Sequence, residues 1–299
     1  MGIVKHRKIW YTISGLLVLV SLFSIFYFGL NLSIEFTGGS LLEAEYQNSR
    51  PETAIIQNKI SELKLGNISI QPTGEKGVII RSKNLTEEEH QALLEKISST
   101  GSFNEIHFDS IGPTIGKELT QKSIYAVILV AVMIILYIAL AFRKAGKPVS
   151  SFKYGLMAVA ALIHDVTAPI GIFAVLGKYF GVQIDILFVT AILTVLGFSV
   201  HDTIVVFDRI RENLRKNIGK DFEETVGLSI NQTITRSINT SLTVIFVLLA
   251  LFFFGGETIK YFSLALIIGV FFGTYSSIFL ASPLLVTLYK IQTRKIKKA

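Results

Sequence analysis

The stretch 182–215, VQIDILFVTAILTVLGFSVHDTIVVFDRIRENLR, decides how the rest of the chain is read. It opens with about twenty residues apolar enough to cross a bilayer. Near the end of that run stand His201 and Asp202, and the charged segment Asp208-Arg209-Ile210-Arg211-Glu212 follows at once. An ionisable group at the centre of a membrane helix costs about 2.5–3.5 kcal/mol on insertion scales, so it commonly has a partner or a task.

Composition agrees with a membrane protein. Of 299 residues, 51% are hydrophobic and 17% charged, where a soluble domain carries about 25% charged. Mean hydropathy is +0.55. There is no cysteine, which removes disulfides and thiolate metal ligands. The formal charge of +7 does not call for nucleic acid, because the basic residues flank apolar runs.

Lys5-His6-Arg7-Lys8 precedes an apolar run to Leu30, too long for a signal-peptide core and without a small-residue cleavage site. Residues 1–30 therefore read as an N-tail and an uncleaved first span. Further spans are expected at about 122–142, 155–177, 184–206, 238–255 and 260–289, within a membrane portion 116–289, with a basic tail at 290–299. The N-tail, the 143–154 and 207–237 loops and the C-tail hold 18 Lys and Arg; the two short opposite loops hold only Lys178 and Lys260. Both termini are thus expected in the cytoplasm of a multi-pass membrane protein.

Residues 31–115 contain no spanning run. Leu42, Ala44 and Tyr46 alternate with Glu43 and Glu45; Ile56, Ile60 and Leu63 recur at helical spacing. Ile68/Ile70 and Val78/Ile80 flank the turn-like Thr73-Gly74-Glu75-Lys76-Gly77. Thr86 and Glu89 form a capping box before Leu93, Leu94 and Ile97, and Ile106 and Phe108 end the set. The order β-α-β-β-α-β is ferredoxin-like. The fold class is six transmembrane helices with one small α+β domain outside the membrane, between helices 1 and 2.

Within the spans, Thr190, Thr194, Gly197 and His201 recur on one helix face beside Asp202, which suits a bundle interior or a hydrated path. The competing reading puts Asp202 at a helix end, snorkelling to water. His164-Asp165 repeats the His-Asp pair among Ala158, Ala160 and Ala161; these residues suit either a buried titratable site or interhelical hydrogen bonding. Arg236, just ahead of the fifth span with Thr240 and Thr243 on one edge, suits a counter-ion for a carboxylate or a plain positive-inside anchor. Ala265, Gly269, Gly273, Ser277 and Ala281 make a small-residue stripe for close helix packing.

No P-loop, HExxH, GxSxG or dinucleotide fingerprint is present, so the chain is expected to be no enzyme and to need no cofactor. Energy must come from a partner or a gradient. One charge moved through 100 mV yields about 2.3 kcal/mol, enough to bias a conformational cycle.

Several segments resemble the SecD/SecF protein-export family of the resistance-nodulation-division superfamily. EFTGGSLLE (35–43) is similar to the family's DFxGG segment, with Glu35 where Asp is usual. IGPTIGKEL (111–119) resembles the VGPxxGxEL lead into the second span, and TITRSINTS (233–241) the fifth span. His164-Asp165 fits the third span; VTAILTVLGFSVHDTIVVFDRIREN (189–213), the most specific of these, fits the fourth.

The resemblance implies a half-transporter of the bacterial cytoplasmic membrane, with SecD as a separate chain supplying a second six-span half. It implies the SecY/SecE/SecG channel, YajC, translocating preprotein and membrane lipid as partners, and the proton motive force as the energy source. Asp202 would be the proton-conducting acid and Arg236 its helper, with Asp165, His164 and His201 as lesser members of the path. Glu35, Phe36, Gly38 and Gly39 would form a loop for substrate or partner. Sodium suits the same carboxylate and threonines as a coupling ion. Two other classes remain open: a half-transporter exporting small molecules or lipids, and an uncoupled structural subunit of the translocon.

Overall fold

The computed structural model describes residues 2–63, 65–66, 68–141 and 149–296. The expected cytoplasmic basic run Arg143-Lys144-Lys147 and the tail residues Lys297 and Lys298 lie outside that set. In chain order the elements are α1 (Gly2–Lys5), α2 (Arg7–Phe28), α3 (Ile34–Thr37), β1 (Gly39–Tyr46), α4 (Thr53–Ser61), β2 (Ser69–Thr73), β3 (Gly77–Ser82) and α5 (Glu87–Ser98). β4 (Phe103–Ile111), α6 (Pro113–Ala141), α7 (Ser151–Phe180), α8 (Ile186–Arg215), α9 (Phe222–Phe254) and α10 (Glu257–Ser276) follow. A π-helical turn, Ser277–Ala281, then joins α10 to α11 (Ser282–Ile296). The chain divides into two compact units, one of residues 1–31 and 125–299, the other of residues 32–124.

The smaller unit is a four-stranded antiparallel sheet in the order β2-β3-β1-β4, backed by α4 and α5. The alternation in β1 sends Leu42, Ala44 and Tyr46 into a core shared with Ile56, Ile60, Val78, Ile80, Leu93 and Ile97. The capping box forms as the sequence suggests: Glu89 N–H donates to the Thr86 hydroxyl and Thr86 N–H to the Glu89 carboxylate. One strand residue departs from the expected pattern. β4 pairs with β1 through a register shift between Glu43 and Ala44, which face His107 and Glu105, so Ile106 has no partner in the register and is 55% exposed. A bulge inserts an unpaired residue and breaks the alternation on which a period-two reading depends.

The larger unit holds the membrane helices. Among the described residues six helices are long and apolar enough to cross a membrane: Arg7–Phe28, Pro113–Ala141, Phe152–Phe180, Ile186–Arg215, Phe222–Phe254 and Ile259–Thr293. α10 packs on α7, α8 and α9, and α2 packs on α7. Gly269 and Gly273 bring α10 against Val195 and Ser199 of α8 so closely that an added Cβ would lie 2.1 and 2.9 Å from those side chains. Leu16, Leu19 and Phe23 on α2, Leu129, Met133 and Leu140 on α6, and Phe246 on α9 are exposed, as lipid-facing side chains are.

The fifth span differs most from its expected limits. Hydropathy begins it near 238, whereas α9 starts at Phe222 with Asp221 as N-cap, the carboxylate accepting from Glu224 N–H. The segment 222–237 is too polar to register as a span. Phe222, Thr225, Val226, Ser229, Ile230, Thr233 and Ser237 are nevertheless buried at helical spacing. α8 likewise runs on to Arg215, so the expected 207–237 loop is mostly helix.

Candidate functional site

Two carboxylates lie buried among the membrane helices, each held by hydroxyls of the last span. Asp165 on α7 is 0% exposed. Its Oδ2 accepts from Ser199 Oγ of α8 at 2.5 Å and from Ser276 Oγ of α10 at 2.6 Å; its Oδ1 lies 2.8 Å from His164 Nδ1. Pro169, one helical turn on, has no N–H to give the Asp165 carbonyl its helical bond. The His164 ring is 2% exposed, stacked on Tyr275 with centroids 5.9 Å apart and edge-on to Phe272; its Nε2 has no hydrogen-bond partner among the described residues. Ser14 of α2 donates to the Tyr275 hydroxyl, which brings a fourth span to the cluster.

Asp202 on α8 is 3% exposed. Its Oδ2 accepts from Thr274 Oγ1 of α10 at 3.1 Å, and Thr274 in turn bonds Ser241 of α9. One residue on, Thr203 and Ser277 join hydroxyls at 2.8 Å across α8 and the π-helical turn. The burial of Asp202 sets aside the snorkelling alternative for this side chain. The last span therefore presents Thr274, Ser276 and Ser277 in succession, each to a partner on α7 or α8.

Several expected site residues stand elsewhere. His201 is exposed on α8, about 100° round the helix from Asp202. Thr190, Thr194, Gly197 and Asp208 share its outward face, so this stripe does not line the interior of the bundle. Thr190 and Thr194 donate to Ile186 and Thr190 carbonyls of their own helix. Arg236 is exposed too and forms no ion pair with Asp202 among the described residues. It lies about four turns into α9, where Ser237 and Ser241 are the buried residues and Arg236 is turned aside. There it lines a cavity of about 400 Å³ with Ile204, Asp208, Gln232 and Thr233.

The segment 35–39, expected to meet substrate or partner, runs from α3 into β1 as a close-packed joint with Thr37 exposed. Gly38 and Gly39 have φ of 74° and 133°. A Cβ on Gly38 would lie 2.8 Å from Pro113 Cα, and one on Gly39 would lie 2.7 Å from the Ser82 carbonyl. Gly116, in the first turn of α6, would place a Cβ 2.8 Å from Gly38 N, and Thr120 Oγ1 donates to the Phe36 carbonyl at 3.3 Å. Gly38 and Gly116 thus let the end of α3 lie directly on the backbone of α6, while Gly39 lets the start of β1 close on β3, with Ile34 and Phe36 buried.

Ser199, Ser241, Thr274 and Ser276 escaped the sequence reading, and Ser277 entered it only as a small residue. Thr274, Ser276 and Ser277 had a signal, four polar residues in a row, Thr274-Tyr275-Ser276-Ser277, inside an apolar span; Ser199 and Ser241 had none of that kind.

Comparison with known proteins supplies the family. Residues 90–291 match the family described as protein export membrane protein SecD/SecF, C-terminal, and residues 23–49 match the SecD/SecF GG motif. Protein translocase subunit SecF of Thermobaculum terrenum is 46% identical over 96% of this chain and 93% of its own length. The SecF subunit of Haemophilus influenzae is 38% identical over 93% of this chain and 82% of its own. The crystal structure of SecDF, a translocon-associated membrane protein from Thermus thermophilus, superposes with a TM-score of 0.84 at 30% identity. That match covers 97% of this chain, which spans 38% of the longer SecDF chain. Six apolar helices, a small sheet unit and near full-length likeness to SecF subunits converge: the chain is an integral membrane protein of the SecD/SecF protein-export family.

Proposed function

We propose that this accessory subunit of bacterial protein translocation couples ion movement across the membrane to polypeptide export. The observation that carries the reading is Asp202, buried inside a membrane helix and bonded to Thr274 of another span. A carboxylate there is costly unless it is used. Protonation from the outer side would weaken the bond it accepts from Thr274 of the last span and release to the cytoplasm would restore it, and that change would be passed on through the helices. Arg236 acts at a distance, through the cavity it shares with Asp208. The Asp165–His164 pair is a second station with its own hydroxyl donors. The coupling ion is a proton; sodium is the alternative that the same oxygens would accept.

SecD is the natural complement. The outward polar stripe of α8 and the polar edge of α9 with Arg236, Asn239 and Thr243 are exposed in this chain, and such residues in membrane spans face other helices or water. A second membrane half would cover them. Both termini lie in the cytoplasm in this reading, and the small unit lies outside, where preprotein emerges from the SecY/SecE/SecG channel, with YajC as a further neighbour.

The experiment is Asp202→Asn as the sole copy in cells, scored by accumulation of signal-bearing precursors. The proposal expects accumulation with normal membrane levels of the subunit and its co-purifying partners. Normal export would reject it, and normal export with lost tolerance of toxic compounds would favour a small-molecule exporter.

A further inference from the structure

The π-helical turn of the last span has a local cause. Pro283 cannot supply the N–H that would bond the Phe279 carbonyl, and buried Ser282 turns its hydroxyl back on the Ser277 carbonyl, five residues earlier, at 2.9 Å. A π turn carries one extra residue, so the helix on its two sides is out of phase by about 100°. Pro283 fixes the C-terminal limit of the turn. The turn can travel only toward the N-terminus, and the first residues it would cross are Ser277, Ser276, Tyr275 and Thr274.

Those residues hold the buried acids. Thr274 donates to Asp202, Ser276 to Asp165, and Ser277 meets Thr203. Each partner belongs to α7 or α8, so the hydroxyls pin the segment against neighbouring helices. Passage of the turn would rotate the segment by about 100° and break all three contacts together. On the N-terminal side, Gly269 and Gly273 contribute no side chain of their own, so Val195 and Ser199 of α8 lie directly against the α10 backbone.

We infer that Thr274 and Ser276 are positioning residues that read the state of the two acids, and that their release lets the π turn migrate one helical turn toward Gly273. The last span would then be the moving element of the coupling cycle, with α7 and α8 as its frame. The inference rests on the ion-coupled reading above. The groups around the acids are His164 and Ser199 at Asp165, and Ser237 and Ser241 (the latter through Thr274) at Asp202, with the charged or titratable His201 and Arg236 nearby but turned outward.

The chain has no cysteine, so a single engineered pair can be cross-linked cleanly. Thr203→Cys with Ser277→Cys places two thiols where the hydroxyls stand 2.8 Å apart, across the path of the turn. With the partner complex intact, oxidation is expected to lower export about tenfold relative to the same variant reduced, and reduction to restore it. A cross-link only reinforces packing, so a merely structural role predicts no loss. Equal export by oxidised and reduced forms would overturn the inference. Should the reduced pair itself be inactive, Thr274→Val against Thr274→Ser decides: a Val-specific loss supports pinning, and equal export by the two rejects it. A defective Asp202→Asn alongside a fully active cross-linked form sinks this inference alone, whereas a normal Asp202→Asn sinks the coupling itself.

Discussion

At the scale of single residues, the difference between a hydroxyl that bonds its own helix and one that reaches across decides the site. Thr190, Thr194, Thr240 and Thr243 each donate to the carbonyl four residues back and face outward. Ser199, Thr274 and Ser276 have the same chemistry but reach a carboxylate on another helix. Sequence cannot separate the two, because both are Ser or Thr at helical spacing; only the azimuth of each helix does. That is why Asp202 was legible from its cost in the membrane while its donors were not. Asp165 makes a test at this scale. Asp165→Leu would leave Ser199 and His164 without their partner in the interior and Ser276 with only the Gly273 carbonyl, so it should cost about 3–5 kcal/mol in the thermal unfolding of the purified protein. Asp165→Asn keeps the shape and an acceptor oxygen and should cost about 1–2 kcal/mol.

At the scale of elements, two joints stand out. Gly38 and Gly116 let the end of α3 meet α6 backbone to backbone, and Gly39 lets β1 close on the Ser82 carbonyl of β3. Gly39→Ala should strain a position with φ of 133° and a carbonyl 2.7 Å away, costing about 1–3 kcal/mol and lowering hydrogen-exchange protection in β1. Gly74→Ala, at φ 54° with open space around it, should cost about 1 kcal/mol or less. Equal effects would mean that the glycine pair is not a packed joint. The second joint is the start of α5. Its Glu89 carboxyl is held below the ordinary 4.5 by the Lys83 ammonium, which donates to it at 2.6 Å, and by Thr86 N–H. A depressed folded value means the stabilisation is present above 4.5 and is lost as pH falls through the lower folded value. Amide protection in the first turn of α5 should therefore decline on acidification below 4.5, and Glu89→Gln should reduce that dependence, leaving the part due to Glu88, whose carboxyl is also held low by backbone N–H and Thr86.

At the scale of the whole molecule, the fold was readable because its signals are summed over many residues. Spanning runs of hydropathy, the bias of Lys and Arg among the loops and the period of β1 each survive a few local exceptions. What escaped was set by single positions: the bulge that exposes Ile106, the polar first half of α9 that hides a continuous helix, and the turn made by Ser282 and Pro283. Arg236 shows the same limit from the other side. Its motif was plain, but its direction depends on a helix that begins sixteen residues before the hydropathy does, at Phe222 and not 238. The outward polar faces of α8 and α9 then make sense only for a larger assembly, with SecD as the second half. Substituting Asn239→Leu and Thr243→Leu together should leave this subunit in the membrane but reduce recovery of SecD in a pull-down.

Ion flux itself tests the central claim most directly. The SecD–SecF assembly, reconstituted in vesicles with an entrapped pH indicator and an imposed gradient, should pass protons, and Asp202→Asn should abolish the flux while the assembly stays intact. Flux through Asp202→Asn equal to that of the unaltered protein would contradict the account.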